Sequence, residues 1–489
     1  MSDQKFTLFS FSGKTRILHL TWTAFFISFM VWFNHAPLMA IIRETFGLSN
    51  QEVSILLIMN VALTIPARIA VGMLVDRFGP RRMFSGLLVL SGIFCIPFAM
   101  AENFQQLAIA RFMLGFVGAG FVIGIRMIGE WFPAKQTGTA QGVYGGWGNF
   151  GSAASAIILP VLALWIGGEN GWRYAILTTA VIAIFYGIFY YFSVTDTPKG
   201  STYFKPKKMG AMEVTSKADL ILYLIMSIPV YAALALLVWK LSPSSMNWLS
   251  ANTSNALYII IMAIYGSQAW KIIQINKNLM TEETPNIFQF SFKQVALLDL
   301  AYMVTFGSEL ALVSMLPLFY MDTFHLSLVT AGILAAIYPC MNLIARPAGG
   351  ILSDKIGRKR SLIILFTGIS FTFVMLGQVS ADWAVVLVVA NTILCGLFSK
   401  GGSGAVYAMV PLIQRRMTGQ IAGMTGAYGN VGGLIFLTVL SLTTPQEFFI
   451  TIGITAAAVL LFIIVFLDEP KGQTAEILDD GTVQLIDVS

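Results

Sequence analysis

The sequence predicts an all-α polytopic membrane protein in which two pseudo-symmetric six-helix bundles flank an inserted two-helix hairpin, about fourteen spans in all. Three observations support this. Hydrophobic residues make up 56% of the 489 and charged residues 11%, with a mean hydropathy of +0.76, whereas soluble domains are about one quarter charged. Apolar runs long enough to cross about 30 Å of hydrocarbon follow one another, and runs of that length are helices rather than barrel strands. One segment also occurs twice: residues 66–82, PARIAVGMLVDRFGPRR, superpose without a gap on residues 344–360, IARPAGGILSDKIGRKR.

In the first half the runs are 17–42, 52–75, 83–101, 106–130, 137–166 and 172–194. The first is too long for a signal peptide and lacks a small-residue cleavage site, which makes it a span. Basic residues follow the second run (Arg77, Arg81, Arg82), the fourth (Lys135) and the sixth (Lys199, Lys205, Lys207, Lys208), while the loops between are poor in them. The positive-inside bias therefore predicts a cytoplasmic N-terminus, and the net charge of +6 reports orientation rather than a nucleic-acid partner. Between 195 and 290 lies a stretch without a counterpart in the other half. Its apolar runs, 220–241 and 256–275, are joined by the uncharged segment 242–255 and return the chain to the side it left. Both are long and poorly amphipathic, which favours spanning over the alternative of lying flat on the membrane. The second half repeats the plan with 294–321, 328–352, 361–379, 383–412, 418–442 and 448–467, its basic loops holding Lys355, Arg358, Lys359 and Arg360, then Arg415 and Arg416. The acidic end of the chain lacks aromatic residues and is expected to be mobile. The predicted divisions are 1–200, 201–290, 291–467 and a cytoplasmic tail, 468–489, in a plasma (inner) membrane protein.

The duplicated segment aligns Arg68 with Arg346, Gly72 with Gly350, Asp76 with Asp354, Gly79 with Gly357 and Arg82 with Arg360. Each arginine precedes its aspartate by eight residues, about 12 Å of helix, which sinks it well below the loop. A charge near mid-bilayer costs about 2.5 to 3.5 kcal/mol on insertion scales. Two at equivalent depth, one per half, point to the interface between the halves, where transporters of duplicated build bind substrate. The alternative is that each arginine pairs within its own half. A second duplicated pattern, G-x-x-G-x-x-G-N-x-G, runs through GVYGGWGNFGS (142–152) and GMTGAYGNVGG (423–433). It matches Gly145 with Gly426, Gly148 with Gly429, Asn149 with Asn430 and Gly151 with Gly432. Such a helix exposes backbone along one face, either to a small ligand or to a closely packed neighbour.

The pair GMLVDRFGPRR and GILSDKIGRKR resembles the short cytoplasmic motif of the major facilitator superfamily, found after the second span and again after the eighth. In it the first glycine (Gly72, Gly350) admits a neighbouring helix, the aspartate (Asp76, Asp354) accepts helix N-terminal amides or pairs with a base, and the second glycine (Gly79, Gly357) turns the chain. With the arginine pair and the glycine pattern, the chain further resembles the nitrate/nitrite porter family of that superfamily. This resemblance implies a planar anion, nitrate or nitrite, held between Arg68 and Arg346 with Asn149 beside it and Gly145 lining the path. It further implies Tyr302 as a hydrogen-bond donor and Phe306, Phe121 and Phe29 as aromatic walls, the alternative for each phenylalanine being ordinary core. Transport by proton symport or by nitrate/nitrite exchange follows from the same likeness, and a monomer without cofactors is expected.

Nitrate suits such a site because it is flat and singly charged with three acceptor oxygens in one plane, and a guanidinium offers donors in a fixed planar fork. Aromatic walls limit height and so disfavour tetrahedral sulfate or phosphate. A facilitator of another small anion remains the alternative. Two further ionisable residues, Glu309 and Lys400, fall inside spans of the second half, either as a mutual ion pair or with Glu309 exchanging a proton. Arg111 and Arg126 are expected to be structural, Arg126 by pairing with Glu130 or Asp76, and His35 to be a satisfied helix histidine. The cysteines Cys95, Cys340 and Cys395 are scattered through apolar runs, and the three histidines form no metal-binding pattern, which argues against a membrane-bound enzyme.

Overall fold

The computed structural model describes residues 7–168, 170–203, 205–206, 210–280, 290–326, 328–440, 442–470, 473–477 and 483–487. Lys207 and Lys208 of the basic linker lie outside them. The first half consists of α1 (Gly13–Trp32), α2 (Met39–Phe46), α3 (Asn50–Ala62), α4 (Thr64–Phe78), α5 (Pro80–Ala99), α6 (Phe104–Leu114), α7 (Gly120–Trp131), α8 (Ala134–Ile166) and α9 (Gly171–Ser193). The inserted hairpin is α10 (Lys217–Leu241) and α11 (Ala251–Ile275). The second half comprises α12 (Phe292–Phe324), α13 (Leu328–Cys340), α14 (Asn342–Ile356), α15 (Arg358–Leu376), α16 (Val385–Ile413), α17 (Thr418–Leu440) and α18 (Pro445–Phe466). Among the described residues thirteen helical stretches are long and apolar enough to cross a membrane. The shorter helices α13 and α14, in the run expected at 328–352, are not among them.

Four spans expected to be continuous are interrupted, and local chemistry explains each case. After α1 the chain turns at Phe33–His35 and enters a short 3-10 turn, Ala36–Leu38, with Pro37 in its first turn. The second span breaks at Leu63 because Pro66 has no N–H to give the carbonyl four residues back. Three glycines in six residues, Gly115, Gly118 and Gly120, give the 3-10 segment Gly115–Ala119 between α6 and α7. In the eighth span Pro339 and Pro347 flank the break at Met341. Side-chain caps fix other starts: Ser49 and Glu52 form a reciprocal capping box on α3, as Thr444 and Glu447 do on α18.

Within each half the long helices pack together, α5 on α9 and α1 on α8, then α12 on α17 and α15 on α18. The halves meet along α4 against α17 and α8 against α14. Hairpin helix α10 lies over the seam, touching α3 and α4 on one side and α12 and α17 on the other, while α11 packs on α10. The tail departs from the expectation of a mobile end, since β1 (Gln473–Ile477) and β2 (Val483–Asp487) pair antiparallel, Gln473 opposite Asp487.

Candidate functional site

Arg68 stands five residues after the Leu63 break and Arg346 five residues after the Met341 break, so the duplication extends to the kinks as well as the charges. Arg68 is fully buried and Arg346 is 2% exposed. Both guanidinium groups lie over the same two rings, one ring from each half. Arg68 Cζ is 5.8 Å from the Phe121 centroid and Arg346 Cζ 5.5 Å from it. Their distances to the Phe306 centroid are 5.2 and 5.8 Å, which caps the separation of the two cations at about 11 Å. Desolvated cation–π contacts of this kind contribute up to about 2 kcal/mol each.

Phe121, Tyr302 and Phe306 form a parallel stack, with interplanar angles of 6° and 5° and centroid spacings of 6.3 and 5.1 Å. Tyr407 closes it edge-on, 4.5 Å from Phe121 and 4.7 Å from Tyr302. Arg68 Nε donates to Gly118 O at 3.2 Å and its Nη1 to Gly426 O at 2.7 Å. Arg346 Nη2 donates to the Tyr302 hydroxyl at 2.9 Å, and its Nη1 has no hydrogen-bond partner. Neither arginine has a carboxylate within ion-pair distance among the described residues. Buried polar groups are nearly always satisfied, so the orphaned Arg346 nitrogen is a donor available to a ligand.

The glycine pattern brings helix backbone close to both arginines. On α8, a side chain at Gly145 would stand 3.5 Å from Arg346 Cδ and from Phe121, and on α17 one at Gly426 would stand 3.0 Å from Arg68 Cδ. Their neighbours Gly142 and Gly423 pack against the carbonyls of Arg346 and Arg68, so each half's glycine helix is pressed on the other half's arginine helix. Asn149, 4% exposed, has both amide atoms unpartnered, while Asn430 donates to Gly426 O at 3.4 Å. Phe29 sits one ring away from the stack, 4.6 Å from Phe25, which in turn meets Phe121 at 5.3 Å and Tyr144 at 4.9 Å. Glu309 and Lys400 lie 3.1 Å apart, Asn342 donates to Glu309 at 2.6 Å, and Lys400 Nζ is 3.9 Å from the Tyr338 ring centroid.

At the end of the bundle that carries the duplicated motif, each aspartate reaches the opposite half. Asp76 accepts from Gly419 N and Gln420 N, both at 2.8 Å, at the start of α17. Asp354 accepts from Gly138 N at 2.9 Å and Thr139 N at 2.6 Å near the start of α8. Gly72 and Gly350 pack on the backbones of Gly419 and Gly138 in the same places. Gly79 and Gly357 adopt φ 85°, ψ 149° and φ 98°, ψ 156°, a region open to glycine alone. Arg126 pairs with Asp76 at 3.2 Å and with Glu130 at 3.1 Å, and it also donates to Arg415 O across the halves. Arg111 is buried among neutral oxygens, those of Asn60, Asn34 and Trp32. His35 corrects expectation: the helix ends before it, and neither ring nitrogen has a hydrogen-bond partner.

Several residues of the site escaped the sequence reading. Tyr407 and Tyr144 join the aromatic cluster from α16 and α8, and only the GGSG run at 401–404 hinted that α16 approaches closely. A third repeat, D-x-P-K-G, ends the sixth span at 196–200 and the twelfth at 468–472. Asp196 accepts from Arg81 N at 2.7 Å, and burial raises its carboxyl above the usual carboxylate range. Its functional counterpart is Glu469 rather than the aligned Asp468, since Glu469 accepts from Arg358 N and Lys359 N at 2.5 and 2.7 Å. Each carboxylate thus caps the helix that follows the motif.

The model of the major facilitator superfamily matches residues 21–280 and 298–485. The chain is 44% identical over 475 residues to a protein of Nostoc punctiforme named nitrate/nitrite transporter NrtP, covering 96% of this chain and 95% of that one. A protein of the same name from Picosynechococcus is 42% identical, with 97% of each chain covered. Among solved structures, the proton:xylose symporter XylE superposes with a TM-score of 0.62 at 15% identity, over 94% of this chain and 97% of that one. The chain is an integral membrane transporter that belongs to the nitrate/nitrite porter family of the major facilitator superfamily.

Proposed function

We propose that the protein carries nitrate, and nitrite with it, across the membrane by alternating access, gripping the anion between Arg68 and Arg346. The observation that carries this is the shared pair of rings: two buried guanidinium groups from different halves converge on Phe121 and Phe306, with no carboxylate within ion-pair distance of either among the described residues. Two such cations repel. An anion placed between them turns that repulsion into attraction from both sides, about 4 kcal/mol per pair at about 4 Å and an effective dielectric near 20, before desolvation. The unpartnered Arg346 Nη1 supplies a donor to that space, the amide of Asn149, one turn of α8 beyond Gly145, is likewise unpartnered, and the names of the two relatives agree with a nitrate or nitrite cargo.

Tyr302 orients Arg346, Phe121 and Phe306 set the height of the slot, and Gly145 leaves room beside it; Phe29 supports Phe25 behind the wall. The bias of basic residues toward alternate loops supports a cytoplasmic position for both termini and the duplicated motif, in an inner membrane. The tight packing of α4 on α17 and of α8 on α14, with Asp76 and Asp354 tied across, corresponds to a carrier sealed at that face. Import proceeds as one monomer rocks its halves about the loaded site, by proton symport or by exchange for nitrite, with Glu309 and Lys400 neutralising each other.

Purified protein in liposomes provides the test. Isotopically labelled nitrate is expected to enter, nitrite to compete with it, and sulfate at the same concentration to have no effect. Absence of uptake, or competition by sulfate as strong as by nitrite, would overturn the assignment.

A further inference from the structure

The seventh span holds an acidic residue besides Glu309, and its surroundings differ. Asp299 lies on α12 with no exposed surface. One carboxylate oxygen accepts from Thr425 Oγ1 at 2.7 Å and the other, Oδ2, has no hydrogen-bond partner. Among the described residues no lysine, arginine or histidine stands within ion-pair distance of it. An isolated ionised carboxylate in such a place is costly, and it is removed most directly by a proton.

Position links this group to both arginines. Asp299, Tyr302, Phe306 and Glu309 recur at helical spacing along one face of α12, and Tyr302 is the partner of Arg346. Thr425, the partner of Asp299, directly precedes Gly426, whose carbonyl accepts from Arg68 Nη1. A change of charge on Asp299 therefore reaches Arg346 through one turn of α12 and Arg68 through one residue of α17. A cavity opens beside the same stretch of α17. Gln420 and Met424, just before Thr425 on α17, line a cavity of about 30 Å³ with Tyr223, Ser227 and Gln268 of the hairpin, room for a water molecule. The Gln420 Oε1 atom is buried and unpartnered.

The groups that face Asp299 are few. From α17 come Thr425 and Tyr428, from α16 Tyr407 and from α10 Tyr223, all uncharged. The other neighbours of α12, α13 and α18, bring no titratable side chain to it among the described residues. Glu309, by contrast, is held by Lys400 and Asn342.

We propose that Asp299, rather than Glu309, is the coupling carboxylate, binding a proton as the anion binds between the arginines and releasing it as the anion leaves. The ionised side chain holds the Thr425 hydroxyl, and through it the stretch of α17 whose Gly426 carbonyl holds Arg68; the neutral acid loosens that hold as the anion binds. No covalent bond changes, and one proton travels as the acid O–H beside each anion. The inference rests on the anion transport proposed above.

The full chain in liposomes separates the two. Labelled nitrate exchange is measured at equal pH on both sides, and net uptake is measured with an acid exterior, with an internal dye reporting protons. For Asp299→Asn, exchange is expected to persist while the stimulation of uptake by the pH gradient falls about fivefold or more, the lower edge of ordinary coupling. Glu309→Gln is expected to keep the parent's ratio of gradient-driven uptake to exchange. Asp299→Asn with the parent's ratio overturns the proposal. Should that variant fail to fold, Asp299→Glu decides: a shifted pH midpoint of driven uptake supports the proposal and an unchanged one overturns it. A parent that exchanges nitrate but ignores the pH gradient overturns this inference alone, whereas one that moves no nitrate overturns the transport function itself.

Discussion

Arg68 and Arg346 occupy equivalent positions in duplicated sequence, yet they are wired differently. Arg68 is spanned between two backbone carbonyls, Gly118 O of its own half and Gly426 O of the other. Arg346 has a single side-chain partner, Tyr302, and one unsatisfied nitrogen. Backbone carbonyls on packed helices are fixed, whereas a tyrosine hydroxyl turns with its ring's neighbours. The first arginine is therefore a tether between the halves, and the second keeps one donor unspent, as the arm of the proposed anion site requires. The repeat shares the charges, while the partners around them differ.

The largest expected effect tests that division of labour. Arg346→Lys removes the planar fork without removing the charge, and breaking a buried charge-assisted contact costs about 2 to 5 kcal/mol. The apparent KM for nitrate should rise about 30-fold or more while thermal stability stays close to the parent's. Arg68→Lys should also slow transport but should in addition lower stability by about 1 to 3 kcal/mol, because the guanidinium that ties Gly118 O of one half to Gly426 O of the other is lost. Uptake kinetics together with unfolding in detergent check both. Equal loss of stability in the two variants would erase the distinction between tether and arm.

A second contrast concerns the glycines that press one half on the other. A methyl group at Gly142 would stand 2.6 Å from Arg346 O and at Gly423 2.5 Å from Arg68 O, both closer than real contacts allow. Overpacking costs about 1 to 3 kcal/mol, so Gly142→Ala and Gly423→Ala should each slow transport about tenfold. Gly423→Ala should be the worse, since it pushes α17 and hence Gly426 O away from Arg68. Turnover measured at saturating nitrate reads the effect, and an unimpaired Gly423→Ala would show that the seam yields more easily than its geometry implies.

The motif aspartates sharpen the comparison at the sealed end. Asp76 holds two N–H groups of α17 and the buried Arg126, whereas Asp354 pairs with Arg358, whose side chain is 8% exposed. Asp76→Asn leaves a buried guanidinium with less compensation and should destabilise by about 1 to 3 kcal/mol. Asp354→Asn should cost less than that, because solvent reaches the Arg358 pair. Denaturation of the two variants side by side gives the order, and its reversal would make Arg358 the better shielded group.

The architecture was largely legible because it depends on composition and period: apolar length marks spans, lysine and arginine mark alternate loops, and the offset of 278 marks the repeat. The arginines were legible for the same reason, as charges where lipid forbids them. The kinks at Leu63 and Met341 were not, although Pro66 and Pro339 stood in view, because proline inside a spanning helix is common and only packing decides whether the helix breaks. Tyr407 and Phe25 were hidden among many aromatic residues, which one sequence cannot rank. Asp299 was overlooked because it lies only five residues into the predicted span at 294–321, where an acid passes for an interfacial residue, while the observed α12 begins at Phe292 and buries it.

The smallest effect separates two asparagines at the same place in the glycine pattern. Asn149 has no hydrogen bond to lose, since both its amide atoms are unpartnered. Asn430 donates to Gly426 O, the carbonyl that also receives Arg68. Removal of a neutral hydrogen bond costs about 0.5 to 1.5 kcal/mol. If Asn149 serves the anion, Asn149→Ala should raise the KM for nitrate about threefold to tenfold and leave unfolding unchanged, because the empty protein never used that amide. Asn430→Ala should do the opposite, with a small loss of stability and a KM near the parent's, because Arg68 still satisfies Gly426 O. Two residues matched by the repeat would then report on different quantities, one on the bound state and one on the fold. Identical responses in both would mean that the amide of Asn149 faces packed protein rather than the anion, and would leave Arg346, among the described residues, as the unsatisfied donor of the proposed slot.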